Sequence, residues 1–149
     1  MAIKNKFAVP MGEVFPHGAY VVSEVEPVRD FDKSAPGRPV QQLDKETGLP
    51  VWSVSVLDAD PDARSKDKTV VIKIAATHQP VPPDTAAGLP FRPVEFDGLT
   101  VTPYVQENGG RARVAYSLRA TAMRAPGGHG HGSGGRGGKP QGGQDGEAA

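Results

Sequence analysis

Proline and glycine interrupt this chain too often for it to fold around long helices: 15 prolines and 19 glycines are spread over 149 residues. Proline removes a backbone donor, and glycine costs about 1 kcal/mol at a helical site relative to alanine. Strands and loops must therefore dominate. Between the interruptions the apolar residues recur at every second position, the period of a half-buried strand. The clearest case runs from Phe91 to Arg124 and reads as two strands joined by the turn Glu107-Asn108-Gly109-Gly110. In its second arm Val114, Tyr116, Leu118, Ala120 and Ala122 share one face, while Arg111, Arg113, Ser117, Arg119 and Thr121 share the other. The first arm places Leu99, Val101 and Val105 opposite Thr100, Thr102 and Tyr104. One face reads as core and the other as a basic surface that carries hydroxyls and an aromatic ring.

The same pattern predicts three earlier strands. The first covers about Gly18 to Phe31, with Pro27 at a bulge, bend or edge position because it cannot donate to a ladder. A hairpin follows, from Val40–Leu43 to Val51–Asp58, turning at Asp44-Lys45-Glu46-Thr47-Gly48. Lys68 to Ala76 forms the next strand, with Val70, Ile72 and Ile74 inward and Lys73 outward. Gln79 to Pro90 is a long proline-rich connection with room for one helical turn at Asp84 to Ala87, N-capped by Asp84. Five principal strands with a long connection before the fourth predict an all-β fold, a small five-stranded OB-like (Greek-key) barrel. The expected organisation is an extended N-terminal arm over residues 1–17, which packs Phe7 or Phe15 on the body, and the barrel over 18–125. A tail over 126–149 has glycine at 11 of its 24 positions, too little apolar area to offset ordering entropy, so it should be disordered.

Charge bounds the partners. Seventeen basic and 17 acidic residues leave no global field, so any affinity for nucleic acid must come from local segregation. Such segregation exists: from Asn108 to Arg124 there are four arginines and no acid. The absence of cysteine excludes disulfides, thiolate nucleophiles and cysteine-based zinc sites, and it fits a cytoplasmic location. No run approaches the roughly 18 apolar residues of a membrane span, so no membrane partner is expected.

Motifs for chemistry are missing. His17 and His78 are the histidines of the body, neither in a recognisable catalytic motif, and no phosphate loop or dinucleotide fingerprint occurs. The acidic run Asp58-Ala59-Asp60-Pro61-Asp62 fails as a calcium loop because Ala63 stands where glycine is needed and Thr69 where glutamate is needed. His129 and His131, two ligands in a glycine-rich tail, are a poor metal site. The expectation is a protein without enzymatic activity, metal or cofactor. The candidate nucleic-acid contacts are Arg111, Arg113 and Arg119 to phosphates, Lys73 as added charge, and Tyr104 or Trp52 as stacking platforms. Trp52 has a second reading, as a core anchor whose indole nitrogen finds a partner.

Four stretches carry a resemblance: VFPHGAYVVSEVEPVRDFD from Val14, TGLPVWSVSVLDADPDAR from Thr47, VVIKIAA from Val70 and LPFRPVEFDGLTVTPYV from Leu89. Together with the last strand, these stretches make most of residues 7–124 resemble the plasmid replication, integration and excision activator family of actinomycete integrative and conjugative elements. The resemblance implies an accessory role in replication, integration and excision of such an element. A looser similarity is to single-stranded-DNA-binding proteins, a small barrel followed by a glycine-rich tail, although this tail lacks their dense acidic run and closing aromatic. Together these readings lead to an activator that binds single-stranded DNA. The alternatives are a transcriptional activator and an adaptor that grips the element's replication or recombination proteins by strand addition. The sequence leaves the oligomeric state open, a homo-oligomer included.

Overall fold

A computed structural model of the chain describes residues 4–84 and 90–127. Among the described residues, nine strands and one short helix follow in the order β1 (Phe7–Ala8), α1 (Met11–Val14), β2 (Ala19–Val21), β3 (Glu26–Pro27), β4 (Val51–Asp58), β5 (Thr69–Ala75), β6 (Arg92–Asp97), β7 (Thr100–Asn108), β8 (Arg111–Ala120) and β9 (Ala122–Arg124). They form one curled sheet in the order β1-β7-β8-β5-β4-β2-β6-β9, with β3 paired to β4 outside that path. Every pairing is antiparallel except that of β5 with β8.

The period-2 pattern places the core. Val54 and Val56 of β4 and Ile72 and Ile74 of β5 are at most 1% exposed, and the register sets Val54 against Ile72. Phe15, Ala19, Val21, Val25, Val94, Phe96, Leu99, Leu118 and Ala120 complete the cluster. The N-terminal arm contributes Phe15 to this core, whereas Phe7 on β1 stays 48% exposed.

The first strand is shorter than the sequence pattern predicts. After β2 the Ser23 hydroxyl, not a backbone carbonyl, accepts the Ser55 amide at 2.8 Å, and the ladder resumes only at β3. Pro27 pairs there at an edge with Trp52. Val40–Leu43 also departs from its expected form: it makes isolated bridges, Arg29 with Gln41 and Leu43 with Pro50, rather than a strand. Its Val40 and Leu43 side chains are exposed, so alternation there has no face to bury. The turn after it does form as expected, with Gly48 at φ 72° and its amide donating to the Asp44 carbonyl at 2.7 Å.

Two strands bend where they pass one another. Gly98, at φ 60°, lets the chain turn from β6 into β7, and Thr121 breaks β8 from β9 directly beside it. The Thr121 amide and hydroxyl both donate to the Asp97 carbonyl, at 2.9 and 3.1 Å. The β7–β8 turn is centred on Gly109-Gly110, both at positive φ, one residue later than predicted, and a two-residue turn of this hand matches the strand twist. The expected helical turn at Asp84–Ala87 and the tail from residue 128 lie outside the described residues.

Candidate nucleic-acid interface

The basic face is assembled by strand register. Along the outer face of the β7–β8 hairpin, Arg111 stands across from Asn108, Arg113 from Gln106, Ala115 from Tyr104, Ser117 from Thr102 and Arg119 from Thr100. The parallel pairing with β5 then sets Lys73 beside Arg119, and Ser53 of β4 lies across from Lys73. Five of the six residues singled out in the sequence therefore share one side of the sheet. Alternate residues on a strand are about 7 Å apart, so the cations form a row and not a point.

Trp52 does not join them. It lies on the face of Val54 and Val56, packs against the core cluster, and donates its indole N–H to the Ala76 carbonyl at 2.9 Å. That geometry matches the core-anchor reading. Tyr104, by contrast, is 48% exposed on the basic side.

The four arginines from Asn108 to Arg124 are not equivalent. Arg124 ties β9 to β6, with Nε on Asp97 Oδ1 at 2.9 Å and Nη1 on Glu95 Oε2 at 2.7 Å. The hydrogen bond to Asp97, opposed by desolvation and aided by both carboxylate charges, raises its pKa further above the ordinary arginine value. Arg119 is shared with Asp44 at 3.7 Å. Arg113 meets only the neutral Gln106 amide, at 3.4 Å, and among the described residues neither Arg111 nor Arg113 has an acidic partner.

Asp44 limits the field at the inner end of the row. Burial disfavours its charge, but the Glu46 amide, the Thr47 hydroxyl and the Arg119 and Lys6 charges outweigh that cost and hold its pKa below the ordinary value. The folded state therefore binds fewer protons than the unfolded state just below the ordinary aspartate pKa, and stability rises with pH there. The Asp44 contribution should be complete above about pH 4 and fade as the pH falls through its lower folded value. Thermal unfolding midpoints between neutral and acid pH, compared with Asp44→Asn, should show a shallower acid slope in the variant. Parallel slopes would refute the assignment.

The hairpin overhangs the rest of the sheet. β5 pairs with β8 only from Ile72–Ile74 to Leu118–Ala120, so among the described residues the part of β8 before Leu118 has no strand on that side. A groove of about 1460 Å³ opens where the two strands part, lined by six cations and four acids. The overhang also exposes Val105 (69%), Val114 (60%) and Tyr116 (64%), which alternation alone assigns to the core. Nothing in the hairpin's own sequence distinguishes these residues from Leu118. The difference comes from where β8 parts from β5.

No family model, no curated protein and no solved structure matches the chain.

Proposed function

We propose that this chain is a non-enzymatic single-stranded-DNA-binding protein, and that in this capacity it assists replication, integration and excision of an integrative element. The observation that carries the reading is the overhanging hairpin, which aligns the acid-free Arg111 and Arg113 with exposed Tyr104 and continues into Arg119 and Lys73. Cations along a strand suit a phosphate backbone, and an exposed ring offers a stacking surface to any base. A row of this kind also gives local positive charge to a protein whose net charge is zero.

We further read the sheet as an OB-like five-stranded barrel. With β6 and β7 taken as one strand bent at Gly98, and β8 and β9 as one strand bent at Thr121, the pairings run β2, β4, β5, β8/β9, β6/β7 and back to β2. The single parallel pairing, third strand to fifth, belongs to that scheme. In such barrels the hairpin between the last two strands is one of the elements that grip oligonucleotides. The resemblance of the sequence to the element-encoded activators supplies the biological setting.

The test is fluorescence anisotropy of labelled single-stranded and duplex oligonucleotides with the purified protein at low and moderate salt. Tighter binding to the single strand, weakening as salt rises, is the expected result. Equal affinity for both forms, or no binding at micromolar protein, would overturn the proposal.

A further inference from the structure

The two edges of the β7–β8 ribbon are treated differently. On the β7 side β1 covers Val101 and Thr100, and beyond it Pro103 removes a donor from the edge. Proline and short covering strands are the usual means of preventing strand addition. The β8 side has neither. Because the two-residue turn makes Asn108–Arg111 a hydrogen-bonded pair, Arg111, Arg113, Ala115 and Ser117 direct their backbone groups at β7, and Ala112, Val114 and Tyr116 direct theirs outward. Among the described residues no strand or loop takes up those outward groups. Such an edge, with exposed valine and tyrosine on one face, is a template for another strand.

We infer that the occupant of this edge is a second copy of the same strand, giving a two-fold dimer in which two β8 strands pair antiparallel about Val114. The register follows from the edge itself. Its three outward-facing residues are symmetric about Val114, so that alignment lets each N–H and C=O of Ala112, Val114 and Tyr116 find a partner: Val114 on its own copy, Ala112 on Tyr116. Such self-complementarity is what a two-fold interface requires. The charges agree with it. Arg113 falls across from Ala115 and Arg111 across from Ser117, so no arginine faces an arginine, whereas centring on Arg113 would oppose like charges directly. On the apolar face Val105 and Val114 of each copy fall into one row of four valines. The basic faces of the two ribbons become one continuous surface.

This dimer does not depend on the DNA-binding reading, and its test contains no nucleic acid, so either can fail alone. Light scattering coupled to gel filtration at micromolar protein should give the mass of two chains. Val114→Pro, which removes an outward donor and leaves the β7 pairing intact, should give one chain. Since the protein has no cysteine, Val114→Cys offers an independent readout. Two thiols held together at the dimer axis should oxidise to a covalent dimer about tenfold or more faster than those of the exposed control Phe31→Cys. A wild-type protein that runs as one chain overturns the proposal. So does a dimer that survives Val114→Pro, or equal cross-linking of the two cysteine variants.

Discussion

Gly98→Val is expected to destabilise the protein by about 2–5 kcal/mol, the combination of a left-handed backbone for a β-branched residue and a local overpacking. A Cβ at position 98 would lie 2.5 Å from the Thr121 Oγ1 and 2.8 Å from its Cγ2. Thr121 has little freedom to withdraw, because its amide and hydroxyl are both bonded to the Asp97 carbonyl. Both causes act at the crossing of the two bends that direct the β7–β8 hairpin away from the sheet. They are separable. Gly98→Ala should cost less than valine, and on a Thr121→Gly background, where both members of the comparison lack the hydroxyl bond to Asp97, it should cost only the backbone share of about 1–2 kcal/mol. Urea unfolding of the parent, the three single variants and the Gly98→Ala/Thr121→Gly double variant measures this. A valine variant within half a kcal/mol of the parent would show that the bend does not need glycine.

The second large effect concerns binding. Arg111→Ala combined with Arg113→Ala should lower the slope of log affinity against log salt by about 1.4, since each single-strand phosphate contributes about 0.7. The same relation gives a loss of roughly 25-fold at 0.1 M salt. Arg124→Ala, which removes a cation already held by Glu95 and Asp97, should leave the slope unchanged. Tyr104→Ala should behave differently from both. Losing a stacked base costs about 1–3 kcal/mol of affinity with little change in salt slope. If Arg124→Ala and the double variant lowered the slope equally, the phosphates would be read by general charge and not by the hairpin row.

Much of this architecture was legible in the residues. Alternation in Val51–Asp58 and Thr69–Ala75 identified β4, β5 and their buried faces, because burying one face of a strand fixes a period of two. The same alternation located the basic face of β8. It failed at Gly18–Phe31, where the Ser23 hydroxyl replaces a ladder bond, and at Val40–Leu43, where apolar residues have nothing to cover. Those outcomes depend on neighbours distant in sequence.

The sequence by itself determined that strands form, which side chains share a face, and that glycine is present where the chain must turn. These are properties of local spacing and of single-residue backbone preferences. The tertiary structure decided which shared faces become core. Leu118 and Val114 are alike in the pattern, yet one is 8% exposed and the other 60%, because the pairing with β5 stops between them. It likewise decided that Trp52 faces the core, that Arg119 meets Asp44 and that Arg124 is tied to β6, while Arg111 and Arg113 extend past the sheet. Charge and burial at each position depend on which strand lies alongside, and pairing partners far apart in the chain are set by the fold, not by the residues on either side.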